Sequence, residues 1–259
     1  DILVQLVQRH GILVKTQTTD FTGYRFIHDG FLDYLTTAEL VEKDKWIDTA
    51  LSNISNTEWQ EPIKMAIGLA EPDDADKFLG KLMELNERDP LQRPLMLACR
   101  CISDGRIELQ DKTSSIKIID EITGLFNSQS PMHFLSPVVL DTISLLGQSV
   151  KKVKDKVASF SKNGKKHLRI KSIIAMGRMG YDPRIIEILK DQINQEREKD
   201  PEIRICAVNS LAMIGSVESI DDLVNVTLND ENQRVRWRAS SALTMIDPDK
   251  AVTKIIDSY

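Results

Sequence analysis

Residues 168–180 read LRIKSIIAMGRMG, residues 203–215 read IRICAVNSLAMIG and residues 235–247 read VRWRASSALTMID. In each stretch an arginine follows an aliphatic residue, small residues occupy the middle, and a glycine or an aspartate ends the unit. These arginines, at positions 169, 204 and 236, are 35 and 32 residues apart. A period of this length predicts paired helices that stack as an α-solenoid.

Each unit has the features of a helix, a tight turn and a second helix. The apolar residues recur at i, i+3, i+4 and i+7, and a second apolar stretch follows at residues 185–189. Because neither helix can bury its apolar stripe alone, we expect the helices to pack in pairs. Gly180 and Gly215 can end a helix, and Asp182-Pro183 and Asp247-Pro248 place a cap before a proline in the first turn.

Weaker units with the same pattern extend towards the amino terminus. The predicted turns are separated by 33, 44, 33, 35 and 32 residues, and they fall at Ala70, Ser103, Gly147, Gly180, Gly215 and Asp247. The sequence therefore predicts about six helix pairs between residues 45 and 259. Only the third unit, which the second interval spans, is oversized, and we expect its extra residues in the polar segment 110–115 or around residues 127–131.

The charge of the chain is distributed by segment. The net charge of −5 divides into −9 for residues 1–150, +8 for residues 151–171 and −4 for residues 172–259. The basic run could bind phosphates or an acidic partner, most directly through Lys162, Lys165, Lys166 and Arg169. A solvated surface is the alternative, and the acidic remainder of the chain favours it.

A second group of basic residues surrounds Trp237. Arg236 occupies the arginine position of the repeat, and we expect it to pair with a carboxylate of a neighbouring repeat. Arg234 and Arg238 are not required by the repeat pattern. They are therefore predicted to face a groove and to contribute to anion or partner binding.

The arginine-bearing units resemble HEAT repeats of the short kind that also occur in phycobilisome lyases. The resemblance is strong at residues 168–180, 203–215 and 235–247 and weaker in the middle third of the chain. It implies an all-α, HEAT-like solenoid. It implies little about activity, because one fold can carry many functions.

The front of the chain follows a different pattern. Residues 6–41 have the order helix, strand, polar turn, strand, helix, with Phe26 and His28 followed by Phe31, Tyr34 and Ala38. This order resembles the carboxyl-terminal edge of the NACHT class of signal-transduction NTPases, where a winged-helix domain ends before the sensor repeats. The resemblance implies two domains, a winged-helix remnant with a small β-hairpin at residues 1–44 and the repeats at residues 45–259.

The NACHT resemblance also implies a nucleotide in the intact protein. There, His28 would contact the β-phosphate of ADP and hold the switch closed, whereas a histidine bonded locally at the start of a helix is the alternative. In this chain we expect no cofactor and no nucleotide hydrolysis. Residues 163–166 contain a Gly-Lys step but lack the earlier glycine and the hydroxyl of a phosphate loop, G-x-x-x-x-G-K-[ST].

Other catalytic or metal sites are not predicted. The sequence has no H-E-x-x-H and no G-x-S-x-G motif, and its histidines are scattered at His10, His28, His133 and His167. No stretch approaches the roughly 18 apolar residues of a membrane span. The three cysteines lack C-x-x-C spacing and are expected to be reduced thiols in a cytoplasmic protein. Because the chain starts at Asp1 within an apolar run, we also expect it to be part of a longer protein.

These patterns together predict a binding module and not an enzyme. The favoured hypothesis is that the chain is the carboxyl-terminal sensor of a NACHT-like switch that acts in signalling or microbial defence. Its partners would be the upstream NTPase domain of the same protein and a protein or other macromolecular ligand that binds the repeat surface. Two alternatives stay open. One is a free-standing HEAT-like scaffold that binds protein or nucleic acid, and the other is a helical-repeat enzyme of the bilin-lyase or DNA-glycosylase type.

Overall fold

The computed structural model describes residues 12–17, 22–43, 45–105, 107–128 and 136–257. The chain divides into two compact units, unit 1 at Asp1–Ile116 and unit 2 at Lys117–Tyr259. Apart from one small hairpin, the described residues form helices and their connections. The predicted all-α class is confirmed.

The hairpin consists of β1, Leu13–Gln17, and β2, Thr22–Phe26. The strands are antiparallel, with Leu13 opposite Phe26 and Gln17 opposite Thr22. The structure therefore confirms the two predicted strands, although the predicted turn, residues 16–22, was too long, because Thr16 and Gln17 belong to β1 and Thr22 to β2. The helix predicted before the hairpin, and His10 with it, lies outside the described residues.

In its described residues, unit 1 contains five complete helices and the start of a sixth: α1 (Asp29–Val41), α2 (Trp46–Ser52), α3 (Gln60–Leu69), α4 (Pro72–Asn86), α5 (Arg93–Asp104) and α6 (Thr113–Asn127). Helix α3 packs against α5, α1 packs against α3, and α2 packs against α4. Trp46 stacks on Phe78 at 5.7 Å between ring centroids. Helices α1 and α2 thus stack on the following pair, as that pair does on α5. The predicted domain boundary after residue 44 stays a prediction.

Unit 2 continues with α7 (Ser136–Ser149), α8 (Lys151–Asn163), α9 (Lys166–Met179), α10 (Pro183–Ile193), α11 (Pro201–Ile214), α12 (Ile220–Asn229), α13 (Gln233–Ile246) and α14 (Pro248–Asp257). The first helices of successive pairs, α7, α9, α11 and α13, pack side by side. The second helix of each pair, α8, α10 or α12, packs against the first helix of the next. This arrangement is solenoid-like.

The described helices form the six predicted pairs, from α3 and α4 to α13 and α14. Four of the predicted turns directly follow the first helix of a pair, whereas Ser103 and Gly147 lie inside α5 and α7, one and two residues before those helices end. The oversized interval has two sources: residues 105–112, which include a 3-10 helix at Ile107–Asp111, and the connection after α6. Residues 113–115, predicted as loop, are instead the first turn of α6.

Small residues allow α9 and α11 to approach closely. A Cβ atom built on Gly177 would lie 2.8 Å from the Cβ of Ser210. The buried Ser210 hydroxyl donates a hydrogen bond of 2.9 Å to the carbonyl of Ile173 in α9. Ala175 and Ala207 are fully buried beside this contact. Bulkier side chains here would force the first helices of two repeats apart.

Candidate partner-binding surface

The repeat arginine of α11, Arg204, is completely buried. Its Nε and Nη2 atoms each donate to one carboxylate oxygen of Asp230 at 2.9 Å, and Nη1 donates to the carbonyls of Glu198 and Lys199 at 2.9 and 3.0 Å. Such a bidentate, fully hydrogen-bonded pair satisfies a buried charge. Arg204 therefore links α11 to the loop before α13 and is not accessible to a ligand.

Arg169 repeats this arrangement one repeat earlier. Its guanidinium donates to the carboxylate of Glu198 and to the carbonyl of Ser161. The two acids are equivalent, because Glu198 also accepts from the amide of Asp200, and Asp230 from the amide of Asn232. Arg169 was a predicted binding residue, but its guanidinium is thus occupied by contacts within the protein.

Arg236 was expected to pair with a carboxylate, and its described contacts do not support that prediction. Its Nη1 atom donates to the carbonyls of Asp230 at 2.7 Å and Glu231 at 3.2 Å. These acceptors precede the arginine by six and five residues, as Glu198 and Lys199 precede Arg204. Arg204 and Arg236 therefore make equivalent carbonyl contacts, whereas the carboxylates that Arg169 and Arg204 contact come from the following repeat.

Neighbouring acids pair with four of the nine basic residues of the run, and the other five have no carboxylate contact within the described residues. Lys154 pairs with Asp182 and Lys156 with Asp120, both at 2.6 Å. The hydrogen bonds of Lys166 to Asp200 and Glu202 raise its pKa to about 12. Two of the predicted residues, Lys162 and Lys165, are exposed and have no carboxylate contact in the part of the chain that the structure describes. The run is therefore not one continuous cationic surface.

Ion pairs also connect the second helices of successive repeats in unit 2. Arg184 of α10 pairs with Asp155 of α8, and Lys190 of α10 pairs with Asp222 of α12. Lys254 of α14 pairs with Asp221 of α12 at 2.9 Å. The charges on this side of the unit are mostly compensated within the protein.

A different composition characterises the outward side of α13. At about 100° per residue, Arg234, Trp237, Arg238, Ser241 and Met245 fall within an arc of about 100°. We call these five residues the α13 stripe. Trp237 is 63% exposed and Met245 70% exposed, and the Cζ atom of Arg238 lies 4.9 Å from the centroid of the indole ring. The buried residues of this helix lie on the opposite side: Val235, Ala239, Ala242 and Leu243.

The α13 stripe can be compared with the equivalent residues of α11, the helix against which α13 packs. Of these, Glu202, Asn209 and Met213 are exposed, whereas Ile205 and Cys206, the counterparts of Trp237 and Arg238, are partly buried. Exposure at the two ends of the stripe is thus shared with α11, whereas the exposure of Trp237 and Arg238 is specific to α13.

Sequence comparison gives the repeats a family relation. The sequence model of a family described as HEAT repeats matches residues 157–244 and, in an overlapping second match, residues 195–258. Residues 157–258 form a HEAT-like repeat region. No curated protein matches the chain. The α13 stripe and the three arginine contacts all lie within this HEAT-like repeat region.

His28 lies at the start of α1, outside the HEAT-like repeat region. It is the N-cap residue, and its exposed imidazole accepts a hydrogen bond from the amide of Gly30 at Nδ1, over 3.3 Å. This geometry matches the locally bonded alternative. The nucleotide role in the intact protein stays a prediction.

Described residues of unit 2 line two cavities that can be compared with the predicted sites. One, of about 410 Å³, lies between α10 and α12 and is lined mainly by polar side chains, including Asn194, Gln195 and Asn225. The other, of about 630 Å³, lies where α8 meets α9 and includes Asn163 and Lys165. Lys165 is the only one of the predicted binding residues that lines either cavity.

Metal-ligating side chains are dispersed in the described residues. No group of three or more histidine, cysteine, aspartate or glutamate residues could hold a metal ion there. His133 lies outside the described ranges. Among the described helices, none is both long and apolar enough to cross a membrane.

The sequence reasoning did not predict Glu198 and Asp230 as arginine partners, or the methionines of the outward face. A signal was present in both cases. Each acid stands two residues before a helix cap, at Asp200 or Asn232, and Met213 and Met245 are equivalent positions of successive repeats. Both pairs could have been found by aligning the loops and outward positions as well as the core.

Proposed function

We propose that this chain is a ligand-sensing, protein-interaction repeat module, without catalytic activity of its own. The observation that carries the proposal is the α13 stripe. Tryptophan, methionine and arginine are enriched at the centres of protein interfaces, where they contribute most of the binding energy. HEAT-like repeats suit this function, because stacked helix pairs present an extended surface.

We further propose that the module is the sensor of a NACHT-like switch protein. The support is the sequence resemblance of residues 6–41, together with a hairpin followed by a helix that begins just after His28. In this proposal, residues 1–44 belong to the winged-helix domain of the switch. A ligand bound to the repeats would favour the open state over the ADP-bound closed state, and the coupling would run through residues 36–46.

Photo-crosslinking in cells tests the interaction module. A photoreactive amino acid is placed at position 237 or 245 of the full-length protein, and at Lys250 on α14 as the exposed control. We expect discrete adducts with a recurring protein at the first two positions only. Equal adducts at all three positions would contradict a partner surface on α13.

The switch proposal has its own test. The gene is sequenced upstream of the codon for Asp1, where we expect a phosphate-loop motif in the same reading frame. In the full-length protein, His28→Ala should then accelerate release of fluorescent ADP, whereas Lys15→Ala in the hairpin should not. An upstream region without nucleotide-binding motifs would rule out the switch and leave the interaction module standing.

A further inference from the structure

We infer that the α13 stripe binds an acidic segment of a partner protein, with an apolar side chain of that segment on Trp237 and carboxylates on Arg234 and Arg238. This inference rests on the proposed interaction function and specifies the chemistry of the partner.

The two arginines of the stripe are the first argument. Both are exposed, and neither contacts a carboxylate within the described ranges of the chain. Five of the eight arginines of unit 2 behave differently, since they pair with acids of the same unit: Arg169, Arg178, Arg184, Arg197 and Arg204. The stripe therefore presents positive charge that the protein itself does not compensate.

The spacing of the arginines suits a peptide. Arg234 and Arg238 are separated by one helical turn, about 6 Å along the axis of α13. Carboxylates at positions i and i+2 of an extended segment are about 7 Å apart, and those at i and i+4 of a helix about 6 Å apart. Because Arg238 stacks on Trp237, its guanidinium is already held in place, which reduces the entropy lost on binding.

Apolar surface flanks the arginines. Met245 lies on the same arc of α13, and Met213 occupies the equivalent position of α11 and is also exposed. Methionine side chains adapt to the shape of an apolar partner. A segment that combines carboxylates with an apolar residue would therefore contact both components of the surface.

A nucleic acid is disfavoured by the same observations. Binding to a phosphate backbone requires a continuous basic track, since each neutralised phosphate contributes through counterion release. On the neighbouring α11 the outward residues include Glu202 and Asn209, and Lys166 of α9 is engaged by Asp200 and Glu202. Two isolated arginines therefore match two carboxylates of a peptide better than they match the continuous phosphate backbone of a nucleic acid.

The test is selection of a displayed library of random 12-residue peptides on the protein. We expect the enriched peptides to contain aspartate or glutamate next to an apolar residue. Their binding should weaken at least about tenfold in Arg234→Glu/Arg238→Glu and in Trp237→Ala, because these side chains form the centre of the contact. Lys151→Glu/Lys162→Glu makes the same change in net charge on α8 and should alter affinity less than about twofold.

The outcomes separate the inference from the proposed function. If the selected peptides lose affinity for Trp237→Ala but bind Arg234→Glu/Arg238→Glu normally, the inference of an acidic partner is wrong, whereas the proposed interaction surface is retained. If no enriched peptide depends on Trp237 or on the arginines, the surface itself is wrong. A single-stranded oligonucleotide of thymidines is the comparison ligand. If it binds more tightly than the selected peptides and the arginine variant loses this binding, the partner is a nucleic acid and not a protein.

Discussion

At the scale of single residues, the buried pair of Arg204 and Asp230 should have the largest effect on stability. Asp230→Asn leaves the guanidinium buried without its anion, and we expect the free energy of unfolding to fall by about 3 to 5 kcal/mol. Glu231→Gln is the control, because Glu231 is exposed and lies 3.6 Å from the same guanidinium. It should cost about 0 to 1 kcal/mol in chemical denaturation. Similar losses in the two variants would show that burial of the pair does not determine its contribution.

The three thiols should differ in reactivity. Cys99 and Cys101 are fully buried, and burial raises the pKa of Cys101 to about 12. Cys206 is half-buried, and burial, aided by nearby carboxylates, raises its pKa less strongly. Since the thiolate is the reactive form, one thiol should react with an aromatic disulfide reagent in the folded protein, and its rate should still rise with pH at about pH 9.

The control for this reactivity is Cys206→Ser. The folded variant should lose the fast reaction, and both remaining thiols should react once the protein is unfolded. Rapid reaction of two or more thiols in the folded wild-type protein would be inconsistent with the burial of Cys99 and Cys101.

At the scale of helices, the contact between α9 and α11 depends on small side chains. Ala207→Leu inserts extra methylene groups into a buried site, so we expect a cost of about 1 to 3 kcal/mol. Asn209→Ala, on the exposed side of the same helix, should change stability by less than about 0.5 kcal/mol. Because repeats interact chiefly with their neighbours, amide hydrogen exchange in Ala207→Leu should accelerate more in residues 168–257 than in unit 1. Equal acceleration in both units would indicate a single cooperative core.

The cap of α10 should make stability depend on pH. Hydrogen bonding to Lys154 and to the amides of Arg184 and Ile185 lowers the pKa of Asp182. A lowered carboxyl pKa contributes stability above the unfolded value of about 4, and this contribution is lost as pH falls through the folded value. Asp182→Ala should therefore lower the melting temperature at pH 6 to 8, and the difference from wild type should shrink below about pH 4.

Asn232 caps α13 without a charge, since its side chain accepts from the amide of Arg234 at 2.9 Å. Asn232→Ala should lower the melting temperature by a similar amount, with no loss of the effect in acid. A pH-independent effect of Asp182→Ala would mean that its cap, and not its ion pair, provides the stabilisation.

The helices were predictable from the sequence because their signals are local. Apolar periodicity identified the pairs, and Gly215, with φ of +70°, and Asp182 mark helix ends by their own backbone chemistry. The arginine contacts were less predictable, since Asp230 lies 26 residues beyond Arg204 and only the fold brings them together. For the same reason the sequence could not show which lysines of the basic run are paired.

At the scale of the whole molecule, the segmental charge has a different meaning in the folded chain. Four of the nine basic residues at positions 151–171 pair with acids of residues 120–202, as Lys156 does with Asp120, and these pairs interrupt the run. Charge reversal at Lys162 and Lys165 should therefore change retention on heparin only slightly, whereas loss of most retention would restore the basic run as a polyanion site. The candidate partner surface depends instead on a few residues of one helix.

In the ion pair of Arg204 and Asp230, the arginine comes first in the sequence and its acid follows. Arg204 belongs to a helix that leaves the ribosome before Asp230 does, so its charge has no anion until the next repeat has been synthesised. Arg169 is likewise synthesised before its partner, Glu198. A repeat of this kind would thus form its buried ion pair only after the next repeat has been synthesised. Co-translational folding would then proceed from the amino-terminal side, and the most recently synthesised repeat would still lack its ion pair.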